Sequence, residues 1–192
     1  MIGWMPSFIG RAIRGMRAGL DKTLFHEAAL KTIPSTIIVE SAAFAAGGAK
    51  PRAHSIDGDG TSPPISWRNV PAETRAVVLL AEDADSPTPA PFVHLVAWGL
   101  PNEGSFGAGD FNAGSSAAKS ATIKFGRNGM MALGYTPPDP PPGHGPHRYV
   151  YQVYALKQLP DFTSAPNRNT IAKVVRDHAI AKGVIEGTYE RP

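Results

Sequence analysis

The chain has 192 residues, 42% of them apolar and 18% charged, enough for one domain with a sizeable core and too apolar for wholesale disorder. It contains no cysteine, which excludes disulfides, thiolate metal sites and a cysteine nucleophile and makes a reducing cytoplasm the expected location. The net charge of +3 lies entirely in residues 1–33, with five basic and two acidic side chains; the rest holds fourteen of each, so the body lacks the basic excess that nucleic acid selects.

From the start, Ile2, Met5, Ile9, Ile13, Met16, Leu20 and Leu24 recur at steps of three and four, a helical stripe accompanied by Arg11, Arg14 and Arg17. The arginines interrupt what would be the apolar core of a signal peptide, and no apolar run reaches the roughly 18 residues of a membrane span. Gly10, Gly15 and Gly19 each weaken a helix by about 1 kcal/mol relative to alanine. A helix over residues 2–24 therefore needs a surface for its apolar face. Its own domain, a twin subunit in a homodimer and a membrane surface are the candidates, with a disordered tail as the remaining alternative. Residues 1–33 are thus read as an extension and 34–192 as the body.

In the body, glycine (20 in the chain) and proline (19) follow no period and read as punctuation between short strands. Thr36–Glu40 is a β-branched strand, Ala76–Ala81 and Phe92–Leu100 are apolar runs suited to buried strands, and Arg148–Leu156 carries alternating tyrosines. One strong helix is predicted from about Thr170 to Lys182, capped by Asn169 and stopped by Gly183.

Three stretches could carry chemistry. In Glu82-Asp83-Ala84-Asp85-Ser86-Pro87, the two aspartates face the same way if the backbone stays extended; a self-capped turn before Pro87 is the alternative. His94, within an apolar strand, needs a partner for each ring nitrogen and is either a satisfied core residue or a pocket group. Between Pro137 and Pro146 only Asp139, Gly143, His144 and Gly145 keep a backbone N–H, and the last three are consecutive. Such a run can form a concavity that holds an anion, or it can be a structural corner. No close histidine spacing supports a metal, no Gly-x-Ser-x-Gly elbow supports a serine nucleophile, and no phosphate-binding P-loop is present.

In combination these stretches resemble the phosphatidylethanolamine-binding family, bacterial Raf kinase inhibitor-like branch. Asp83-Ala84-Asp85-Ser86-Pro87 is similar to its Asp-Pro-Asp-Ala-Pro motif, and Gly143 through His147-Arg148-Tyr149 to its Gly-x-x-x-His-Arg-Tyr motif. Ser62-Pro63-Pro64-Ile65-Ser66-Trp67, Val70-Pro71-Ala72 and the closing segment from His178 to Tyr189 match as well, so the likeness covers about residues 36–190. It implies a mainly β fold with a large antiparallel sheet packed on a smaller one, a C-terminal helix and a shallow pocket. That pocket would accept phosphate, a carboxylate or a phosphorylated head group. The ligand residues implied are Asp83, Asp85, His94 and His147, with Pro141 and Tyr149 lining the site and Arg148 supporting it by pairing with Asp83. Gly143, His144 and Gly145 would add backbone donors. No cofactor, metal or catalytic residue is expected. The alternatives are a module that inhibits a kinase or protease through the pocket rim, and a weak aspartate–histidine hydrolase. Ala84, Ser86 and Pro137 depart from the family pattern. Asp139 at the mouth would repel a second negative charge, and the extension has no counterpart in the family.

Overall fold

The computed structural model describes residues 5–119 and 123–191. The smaller sheet has the order β1-β2-β5, from β1 (Ile38–Glu40), β2 (Ile65–Arg68) and β5 (Gly104–Phe106). The larger is built from β3 (Ala76–Asp83), β4 (Phe92–Leu100), β6 (Lys124–Phe125), β7 (His147–Leu156) and β8 (Ala179–Tyr189), in the order β6-β4-β3-β7-β8. All pairings are antiparallel. Helices are few: α1 (Ser7–Ala12), a single turn α2 (Ser116–Lys119) and α3 (Arg168–His178).

β3 explains the architecture. All eight of its residues are buried, because both faces of the large sheet are covered. Val77, Leu79 and Ala81 point toward the small sheet and join Ile65, Trp67 and Phe106 in the inter-sheet core. Ala76, Val78 and Leu80 point the other way, onto Ile171, Ala172 and Val175 of α3. The period of two thus divides a continuous apolar run between two cores.

The closing helix is shorter than its sequence pattern. Asn167, not Asn169, caps α3 by accepting from the Thr170 N–H at 3.0 Å, and the helix ends at His178. From Ala179 the chain is already strand, since Ala181 and Gly183 pair with Ala155 and Val153 of β7.

The extension is not the continuous helix that residues 2–24 suggest. Residues 1–4, including Ile2, lie outside the described residues; after α1 the chain continues through turns and three short 3-10 segments up to Leu30. The glycines give the reason. A Cβ on Gly10 would lie 2.0 Å from the Pro142 carbonyl oxygen, so glycine lets α1 settle on the 140–147 loop. Gly19 has φ of 110°, where side chains are strained, and the chain breaks there. The N–H groups of Ala18 and Gly19 then donate to the carbonyls of Ser86 and Ala84 instead of up a helix. Leu24 and Leu30 are fully buried beside α3 on the outer face of β3. Burial of each contributes about 1.5–3 kcal/mol. The extension thus docks on its own domain and completes the second core.

Candidate functional site

The site forms where β3 ends. Following the alternation, Asp83 continues the small-sheet face of β3, while its neighbour Glu82 continues the opposite face. On β4 a bulge intervenes: Ala81 pairs with Leu95 and Glu82 with Val93, leaving His94 as an extra residue. Without it, residue 94 would share the face of Val96; with it, the ring turns edge-on to Tyr149, with centroids 5.2 Å apart. His147, the first residue of β7, arrives from the third strand.

These three side chains meet at a cavity of about 180 Å³. Its walls are largely apolar, from Ile56, Phe92, Met130, Pro137, Pro140 and Pro141, and Asp139 stands among them. Asp83 Oδ2 lies 2.7 Å from His147 Nδ1, and His147 Nε2 lies 2.7 Å from His144 Nδ1. His144 Nε2 points at the carbonyls of Ile13 and Met16, at 3.1 and 3.2 Å. The result is a hydrogen-bonded chain from the cavity wall to the extension. His94 Nδ1 lies 2.6 Å from the Thr136 carbonyl, and burial lowers the pKa of its ring to about 4 against the opposing charge of Asp83.

Several sequence expectations are corrected. Asp83 and Asp85 do not share a face. The strand ends at Asp83, whose Oδ1 accepts the Asp85 N–H at 2.8 Å, and the turn swings the second carboxylate away. Arg148 pairs with Asp85, not Asp83: Nε and Nη2 donate to its two oxygens at 2.7 and 2.8 Å, and the Arg148 N–H adds a third bond. Arg17 from the extension approaches the same carboxylate at 3.1 Å. Burial opposes the charge on Asp85, but the Arg148 and Arg17 bonds more than offset it and hold its pKa down to about 2. Asp85 is therefore the anchor of the loop and not part of the cavity wall.

Two of the three expected backbone donors are also committed elsewhere. The Gly143 N–H donates to the Arg191 carbonyl and the His144 N–H to the Pro141 carbonyl. Gly145 faces the extension, where a Cβ would sit 3.4 Å from an Arg17 nitrogen. Of the expected residues, Asp83, His94, Pro141 and His147 line the cavity; Asp85, Gly143, His144, Gly145 and Arg148 form the layer behind it. Tyr149 lies beneath, packed against His94 and His147, with its hydroxyl buried and without a hydrogen-bond partner.

Sequence reading did not single out Lys50 or Arg191, and it placed Arg17 only beside the extension's apolar stripe. Lys50 is buried inside a cage of tyrosines. Its ammonium is 4.4 Å from the Tyr149 ring and donates to the Tyr151 hydroxyl at 2.7 Å. Burial, only partly opposed by Asp83, lowers its pKa to about 7. Arg191 ties Asp139 to Asp57, so the carboxylate at the mouth does not act alone. Nothing local marks these residues.

Among the described residues no group of His, Asp and Glu side chains is placed to hold a metal ion, and no helix is long and apolar enough to cross a membrane.

The fold is that of a known class. The sequence pattern of the phosphatidylethanolamine-binding protein family matches residues 40–190. The chain belongs to that family. A UPF0098 protein of Aquifex aeolicus is 32% identical over 154 residues, covering 80% of this chain and 88% of that one. Another, from Pyrococcus horikoshii, is 30% identical over 141 residues, covering 73% and 70%. Among solved structures, a phosphatidylethanolamine-binding protein homologue from Chlamydia trachomatis superposes with a TM-score of 0.72 at 29% identity, covering 82% of this chain and 99% of that one. YbcL of E. coli shares the fold, with a TM-score of 0.75 at 22% identity over 82% of this chain and all of its own.

Proposed function

We propose that this protein binds, and does not transform, a small molecule whose acid group (phosphate, carboxylate or a phospholipid head group) enters the cavity at the end of β3. The observation that carries this reading is the convergence of Asp83, His94 and His147 from three strands on one apolar-walled cavity. An apolar enclosure with a few converging polar groups is the usual form of a small-molecule site. The lack of turnover follows from the same geometry. His147 is oriented by Asp83 as a general base would be, but its second nitrogen meets His144 instead of a nucleophile. Ser86, the nearest wall hydroxyl to Asp83 in sequence, bonds Thr88 at 2.7 Å. A cytoplasmic site of action and a homodimer belong to the same proposal.

Titration calorimetry with phosphoethanolamine tests it. His147→Ala would leave the Asp83 carboxylate without its partner at the cavity wall and should weaken binding by about 1–3 kcal/mol, the cost of an unsatisfied buried group. Equal affinity in the variant, or Asp83-dependent hydrolysis of a phosphoester, would refute the reading. A protein-inhibitory role at the rim is favoured by one observation. Met130 on the cavity wall and, close to it in sequence, Met131 and Leu133 are 60%, 62% and 47% exposed, apolar surface a partner could cover.

A further inference from the structure

The hydrogen bonds around the cavity determine where its protons are. His144 Nε2 faces two carbonyl oxygens, which only accept, so Nε2 carries a hydrogen. Burial, reinforced by His147 and Arg17, lowers the pKa of His144 and so favours its neutral ring. Its Nδ1 is then an acceptor, and the 2.7 Å contact is donated by His147 Nε2–H. The other nitrogen of His147 faces Asp83 Oδ2, and a proton lies between them too. Both nitrogens of His147 are therefore committed within the protein.

His94 adds a second constraint. Its Nδ1–H donates to the Thr136 carbonyl, which leaves Nε2 as an acceptor on the cavity wall. The ionisable groups around it are Asp83 from β3, His147 from β7, Lys50 from the loop before β2, and Asp139 at the mouth. Asp83 and Asp139 accept, and Asp139 is paired with Arg191. Lys50 directs its ammonium to the Tyr151 and Tyr135 hydroxyls. The Gly143 and His144 N–H groups are bonded within the loop and at the C-terminus, and the Tyr149 hydroxyl beneath the wall is a donor left without a partner, so the ionisable groups around His94 on the wall itself are mainly acceptors.

We propose that the cavity selects an acid group that still carries a proton, namely the monoanion of a phosphomonoester, which donates its O–H to His94 Nε2. This rests on the binding role proposed above and adds the protonation state of the ligand. An oxyanion with no proton to give meets the His94 lone pair and the Asp83 carboxylate without a compensating bond. His94 is thus the residue that determines specificity, and the extension, by fixing the proton on His144, positions His147 as a committed donor.

Methyl phosphate and methyl sulfate separate the possibilities, because at about pH 5.5 both are chiefly monoanions of one shape and only the phosphate ester has an O–H, its second ionisation lying near 6. Calorimetry on the full chain should show methyl phosphate binding at least about ten-fold tighter, the worth of one hydrogen bond to a charged group. Its affinity should fall by about ten-fold or more toward pH 7.5 as the dianion replaces the monoanion. Methyl sulfate, measured at each pH, reports any change in the protein itself. His94→Phe should bring the two esters to within about two-fold. The comparison in the unaltered protein stands even if that variant does not fold. Equal affinities, or phosphate affinity rising with pH, overturn the inference and leave the binding role intact; absence of binding by either ester overturns both.

Discussion

Glu82 and Asp83 are adjacent acids at the end of one strand, and the pleat sends them to opposite regions of the molecule. Glu82 is fully buried on the helix side. There it accepts from Arg168 Nε at 3.0 Å, from Gln152 Nε2 at 2.8 Å and from the Leu24 N–H of the extension at 2.8 Å. Both of its oxygens have partners, and the charge acts as a clasp joining α3, β7 and the extension. Asp83 lies on the small-sheet side at the cavity, where its partners are a histidine and one turn N–H, and its remaining lone pairs face space a ligand can enter. The contrast shows that burial of a carboxylate does not by itself mark a functional site. What separates the two is whether the surrounding protein supplies all the partners.

Three changes would break or sharpen this comparison. The largest effect is expected from Glu82→Ala, which strands Arg168 and leaves the Leu24 N–H without its acceptor. Removing one member of a buried pair costs about 3–5 kcal/mol, and the partial exposure of Arg168 favours the lower end. Urea unfolding should show that loss, whereas phosphoethanolamine affinity extrapolated to the folded protein should not change. A loss of affinity comparable to that of His147→Ala would erase the distinction between the two faces.

Lys50→Met should act in the opposite direction, through the amine beneath the cavity. Its folded pKa of about 7 lies below the ordinary value of 10.5, so between these pH values the unfolded chain binds the proton more readily. Stability therefore rises with pH across that window, and the burden of the buried charge is fully present below pH 7. The pH-dependent part of the difference, at most about 5 kcal/mol for a shift of this size, should favour the methionine variant below pH 7 and vanish as the pH approaches 10. Thermal or urea melts at several pH values check this. A difference independent of pH would show that Lys50 is not a buried titrating amine.

The smallest stability effect belongs to Asp83→Asn. An amide can still accept one of the two hydrogen bonds, so the loss should be about 1 kcal/mol. Without the carboxylate, however, His147 Nδ1 loses its charged partner at the cavity wall, and phosphoethanolamine binding should change when followed by calorimetry. Unaltered affinity would indicate that Asp83 does not shape the cavity for its ligand.

The strands were legible because period-two alternation and apolar runs are local properties. β4 occupies the predicted Phe92–Leu100, and β3 and β7 contain the whole of their predicted spans and extend beyond them. The family motifs, taken in order, likewise pointed to Asp83, His94 and His147 before any coordinates. The direction in which each side chain points was not legible. One extra residue in β4 reverses the face of His94, and a turn one residue past β3 separates Asp85 from Asp83; both depend on pairing with other strands. The extension docks on its own domain, but not as the continuous helix expected, for a related reason. Its apolar spacing fits a helix, but Gly10 and Gly19 serve a close approach and a chain reversal that exist only against the 140–147 loop and β3. The sequence by itself determined which segments are strands and which residues carry chemistry, because spacing and residue type are properties of the chain alone. Tertiary structure decided which polar groups remain available to a ligand, because a hydrogen bond is counted only once its partner has arrived from elsewhere in the fold.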